Sequence, residues 1–172
     1  MIARILKLAV VAGAGMAAWK AMSRGAPGSF HEQALRHGAA EVEAARSAQL
    51  RGASAELRRF AQQMEHEHAE LNARLAEASG LQVPSPDSRQ RVAQADIDAR
   101  QGEAFDRAWL RHMARAHAAA IRLFQREVDC GGPGAAIASQ ALPKLRAHAR
   151  RIEELRQPQA GFVEPAAEAE PA

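Results

Sequence analysis

Apolar residues recur at intervals of three and four along four stretches of the chain, the repeat of a helix that buries one face. Leu57, Phe60, Met64, His68, Leu71, Leu75 and Ala78 predict a helix from about Ala55 to Ser79, with Gly80 as its stop. A wider face, from Phe105 through Trp109, Met113, Ala116, His117 and Ala120 to Phe124, predicts another from about Glu103 to Val128. Ala138, Ala141, Leu145, His148, Ile152 and Leu155 mark a last helix that starts near Pro133 and ends at about Arg156. Pro143 falls inside it and predicts a kink or a break there. The first helix, from about Phe30 to Arg51 behind a Ser29 cap, buries a stripe of small residues: Ala34, Gly38, Glu41, Ala45 and Ala48. Such a stripe lets a neighbouring helix come close.

The connections follow from the breakers. Gly52 and Ser54 turn the first helix into the second, and Asp129 to Gly132 turn the third into the fourth. Leu81 to Gly102 is longer. It carries Pro84 and Pro86, a capping residue at Asp87 and a short helical stretch over Arg89–Arg100. That length suffices either to hairpin back or to cross the whole bundle. The pattern predicts an all-α, antiparallel four-helix bundle over residues 30–156, with its long connection between the second and third helices.

Composition supports the helices. The chain has no Tyr, aromatic residues make up 4% of it, and no long Val/Ile/Thr-rich strand occurs. The ends differ from the middle. Arg4 and Lys7 precede an apolar run, Leu8 to Trp19, too short for a comfortable membrane span, which needs about 20 residues. Residues 1–23 therefore read as a signal peptide, with a small-x-small site at Ala21-Met22-Ser23, or as an N-terminal anchor. No cysteine follows the run, so a lipoprotein anchor is excluded. Either alternative places the folded domain in the periplasm or cell envelope if the protein is bacterial. Residues 24–29 form a linker, and residues 157–172, rich in Pro, Ala and Glu, a disordered tail.

The net charge of +3 is spread by interleaved Arg and Glu, with no dense basic patch and no stacking aromatics, which argues against a nucleic-acid partner. Arg107, Arg111, Arg115, Arg122 and Arg126 line one face of the third helix. They are a solvated face or a surface for an anionic envelope polymer or lipid head groups. Cys130, the single cysteine, makes no intrachain disulfide.

The chemistry lies on the apolar stripes. His68, His117 and His148 each occupy a core position near the middle of a different helix, and Glu41 does so in the first. Buried polar groups are costly unless paired, so matching positions on four helices predict one shared interior site. Glu41 and His68 lie roughly 18 and 21 Å from the turn that joins their helices, and His117 and His148 roughly 21 and 24 Å from theirs. Two readings remain open. Glu41 is a buried carboxylate held by imidazole N–H donors, a polar knot that fixes helix register. Alternatively, Glu41, His68, His117 and His148 bind a divalent transition metal, with Glu65 and His37 as secondary candidates. His66 faces solvent, His112 the edge of the apolar face, and His31 looks exposed. No catalytic triad order, phosphate loop or cysteine zinc motif is present, so the reading leans away from an enzyme.

Four segments together carry a resemblance: Phe30…Ala34…Gly38-Ala39-Ala40-Glu41-Val42; Phe60-Ala61-Gln62-Gln63-Met64…His68…Asn72…Leu75; Phe105-Asp106…Trp109-Leu110…Met113…His117…Phe124; and Leu142-Pro143…Leu145…His148. In this order they resemble the bacterial envelope family called domain of unknown function 4142, over about Phe30 to Leu155. The resemblance implies a ferritin-like four-helix bundle in the periplasm or at the outer membrane, and no established reaction. Trp109 stands where the family pattern usually has Tyr, which removes a phenol role. Asp106 matches the pattern and is expected to cap or pin the start of the third helix. A ferritin-like di-iron site needs Glu-x-x-His on two helices, and here Ala114 and Leu145 stand where those glutamates would be. The expectation is thus an exported, non-enzymatic helical protein whose His/Glu cluster is structural or holds a small ligand. A mononuclear or degenerate metal site and an envelope interaction module are the alternatives, and self-association is left open.

Overall fold

A computed structural model of the chain describes residues 28–157. The expected signal peptide or anchor of residues 1–23, most of the linker and nearly all of the Pro/Ala/Glu tail lie outside the described residues. Five helices and their connections account for what is described, with no strand among them: α1 (Phe30–Arg51), α2 (Ala55–Ser79), α3 (Ser88–Asp98), α4 (Gly102–Asp129) and α5 (Ala135–Arg156). No helix among the described residues is long and apolar enough to cross a membrane.

Local chemistry sets the ends. The Ser29 hydroxyl accepts the Glu32 N–H at 3.3 Å, and Ser54 accepts that of Leu57 at 2.9 Å, each satisfying a donor left over in a first turn. Gly80 closes α2 at φ 70°, the left-handed conformation that a side chain would resist. A reciprocal capping box, Asp87 with Gln90, starts α3. The last helix starts two residues later than Pro133, and it runs unbroken through Pro143. Pro143 cannot donate to the Ser139 carbonyl, but both residues are exposed, and water replaces the missing donor.

Paired contacts give the directions. Glu65 on α2 meets Arg46 and Gln49 on α1, while His68 meets Glu41 farther along, so α1 and α2 are antiparallel. Arg146 meets Gln125, and Gly134 meets Glu127, which makes α4 and α5 antiparallel. Asp106 lies at the α1–α2 turn and Phe124 against Phe30, so α4 runs opposite to α1. The connection after α2 therefore crosses the length of the molecule. Its helix, α3, lies along α1, held by Gln90 on the Arg36 carbonyl and by Asp98 on Ser47 and Arg51.

Two residues of α4 fasten this arrangement. The Asp106 carboxylate accepts the Ala53 and Ser54 N–H groups at 2.8 and 3.0 Å. It pins the α1–α2 turn rather than the start of its own helix. Trp109 is fully buried, and its indole N–H donates to the Ala44 carbonyl at 2.8 Å, which satisfies its one polar group. At Gly38 the Asn72 side chain of α2 lies directly against α1, since a Cβ there would stand 2.0 Å from the Asn72 amide oxygen.

The core is divided. One apolar cluster gathers Leu57, Phe60, Met64, Phe105, Trp109 and Ile152 near the α1–α2 turn. The other gathers Phe30, Leu35, Leu75, Phe124, Leu142 and Leu145 near the α4–α5 turn. Between them lies a polar layer.

Candidate metal centre

Each long helix contributes one residue to that layer: Glu41 from α1, His68 from α2, His117 from α4 and His148 from α5. All four are buried, and His117 is wholly inaccessible to solvent. The three imidazole rings form a triangle, with centroids 5.3, 5.4 and 5.6 Å apart. One nitrogen of each ring lies within 4.8 Å of the others, a grouping that could hold a metal ion. The structure brings together the three histidines that the sequence singles out, and it sets Glu41 against two of them.

Each ring has one anchored nitrogen and one free. His68 donates from Nδ1 to Glu41 Oε2 at 3.1 Å. His117 donates from Nδ1 to the Met113 carbonyl at 3.1 Å, with Glu41 Oε1 3.6 Å away. His148 donates from Nε2 to Glu67 Oε2 at 2.6 Å. The opposite nitrogens, His68 Nε2, His117 Nε2 and His148 Nδ1, are buried and meet no hydrogen-bond partner, and neither does Glu41 Oε1. In neutral imidazoles anchored this way, each free nitrogen carries a lone pair.

For His117 and His148 the electrostatics favour that neutral form. Burial pushes the pKa of His117 down, and the Glu41 charge only partly offsets it. Burial likewise lowers His148 to about 4, helped by His68 and His117 and opposed by Glu67. For Glu41, burial alone would raise the pKa, but its interactions with the His68 and His117 rings and the hydrogen bond from His68 hold it down to about 2. Its ion-pair partners among the described residues are both histidines.

The other sequence candidates lie elsewhere. Glu65 is on the surface, bonded to Arg46 and Gln49. His37 is half-buried and lines a 260 Å³ cavity beside Glu41, with His112 across it and Pro86, Gln90 and Gln94 of the crossing segment as its cover. His66 is exposed, as its position predicts. His31 is not: it is buried against the Phe30 ring, because the first turn of α1 packs against the α4–α5 end. Cys130 is free and exposed. The Arg row of α4 also faces solvent.

Glu67 is the residue that the sequence reading missed. It pairs with His148 at 2.6 Å and with Lys144 at 3.7 Å. A signal existed: Glu67 lies three residues after Met64 and four before Leu71, so it shares their seam. Its neighbour His68 fits the same repeat and hides it.

Fold and site together define an all-helical chain with three buried imidazoles, one nitrogen of each within 4.8 Å of the others. The chain belongs to the family described as "Domain of unknown function (DUF4142)", whose sequence model matches residues 12–155. The match starts before Phe30, inside residues 1–23. No curated protein and no solved structure matches the chain. The family description assigns no activity, so a functional reading rests on the site.

Proposed function

We propose that this chain is a metal-binding member of its family, holding one divalent transition-metal ion on His68 Nε2, His117 Nε2 and His148 Nδ1. Glu41, Glu67 and the Met113 carbonyl orient the rings through their other nitrogens, the usual arrangement behind metal-ligating histidines. The observation that carries this reading is the set of three buried, unpartnered nitrogens, each opposite an anchored N–H. A purely structural knot leaves them unpaired, at a cost of about 1–3 kcal/mol each. One ion satisfies all three and balances the Glu41 charge. Tetrahedral coordination at about 2.0–2.1 Å requires nitrogens roughly 3.3 Å apart, so binding draws the rings inward.

The four long helices are read as a ferritin-like four-helix bundle, supported by two antiparallel hairpins and one full-length crossover. The ligand set is not that of a di-iron protein, because α4 and α5 lack the paired glutamates. A nitrogen-rich, single-ion site suits zinc or copper. The charged and apolar pattern of Met1–Ser23 supports delivery to the cell envelope. The function assigned is metal binding, with no reaction attached.

The test uses untagged full-length chain. After incubation with Zn²⁺ and exhaustive buffer exchange, elemental analysis should find one ion per chain, and His117→Ala should lose it while keeping its helical circular dichroism. Absence of stoichiometric zinc, or full retention in His117→Ala, would make the layer a structural knot.

A further inference from the structure

Among adjacent long helices, α2 and α5 touch least, and a cleft between them reaches the edge of the layer. Two cavities open there, of 440 and 420 Å³, and His148 lines both. The larger one also reaches His68. His117 lines neither, so this cleft meets the histidine triangle from the side opposite α4.

The larger cavity changes character from floor to mouth. Its floor is His68 and His148, its walls include Leu71, Ala141 and Leu145, and its mouth carries Arg74 and Lys144. Two acids line it as well: Glu67, held by His148 and 3.7 Å from Lys144, and Glu70, 3.2 Å from the His66 ring. Arg74 donates to the neutral Gln140 amide and makes no ion pair among the described residues, so its guanidinium is open to a further acceptor at the rim. Arg74 follows His68 by six residues, roughly 9 Å along α2. Lys144 precedes His148 by four, roughly 6 Å along α5.

We infer that this cleft seats a short dicarboxylate, one carboxylate completing the coordination of the bound ion and the other held by Arg74 and Lys144. The inference rests on the metal reading above. Three imidazoles leave a divalent ion one ligand short of four, and an oxygen donor entering from the cleft completes the set. The apolar walls suit the carbon chain between the two ends. Guanidinium at the mouth favours a carboxylate, which it can grip with two parallel hydrogen bonds. The volume falls within the range of small-molecule sites.

The experiment uses full-length chain loaded with Co²⁺ and confirmed at one ion per chain, because the visible bands of Co²⁺ report its coordination. Succinate should shift those bands saturably. Arg74→Gln, loaded to the same Co²⁺ content, should weaken succinate about tenfold, with acetate, which lacks the second carboxylate, affected little. Unchanged bands with succinate overturn the inference while the metal site stands. A stronger response to inorganic phosphate than to succinate overturns the dicarboxylate assignment. Equal succinate affinity in the Arg74→Gln variant overturns the role of the mouth. If Co²⁺ does not bind at all, the metal reading fails and takes this inference with it.

Discussion

The two carboxylates behind the histidines sit on unlike sides of the molecule. Glu41, on α1, is buried, backs two rings and is covered by α4 and the crossing segment. Glu67, on α2, backs one ring, shares its charge with Lys144 and borders an open cleft. A carboxylate in the interior must be compensated on the spot, whereas one at the rim is already screened by water. The metal reading therefore assigns the geometry of the site to the closed side and the entry of a ligand to the open side.

Acid should separate the sides most strongly. The unfolded chain protonates His148 near the ordinary 6.5, and the folded chain only near 4. Between those values the unfolded state binds more protons, so metal-free stability is complete above about 6.5 and is lost as pH falls through 4. His148 alone accounts for on the order of 3 kcal/mol. His117 adds to the loss in the same direction. Glu41, depressed from 4.5 to about 2, gives up its contribution only at lower pH, so the open side yields first. Urea midpoints followed by circular dichroism between neutral and acid pH measure this, and a midpoint that rises on acidification would reverse the sign.

Smaller effects come from the carboxylates themselves. Glu41→Gln should weaken Zn²⁺ binding about 100-fold and Glu67→Gln about tenfold, the span usual for groups that orient metal ligands. Glu65→Gln, at a surface ion pair, should change nothing. Competition against a chromophoric chelator gives all three affinities. If Glu67→Gln costs more than Glu41→Gln, the closed side is not the one that sets the geometry.

How far the chain could be read without coordinates depended on the period. Helix positions are legible because burial repeats every three to four residues, and the same repeat carries His68, His117 and His148 into one layer. Pro143 misleads: sequence predicts a kink or break, but exposure of Ser139 lets water take the place of the lost donor, and α5 continues. His31 misleads in the other direction, because a first-turn residue is buried only when a distant end packs on it. Asp106 was legible as an anchor but not in its target, since the turn it holds lies 52 residues away in sequence. Glu67 was hidden because which ring nitrogen needs a partner depends on ring orientation, and sequence spacing does not carry that.

X-ray absorption at the zinc edge of the Zn²⁺-loaded, untagged chain measures the proposed coordination most directly. The account predicts a first shell with three imidazole nitrogens at about 2.0–2.1 Å, together with the outer-ring scattering of histidine. A shell of oxygens alone, or fewer than three imidazoles, would contradict it.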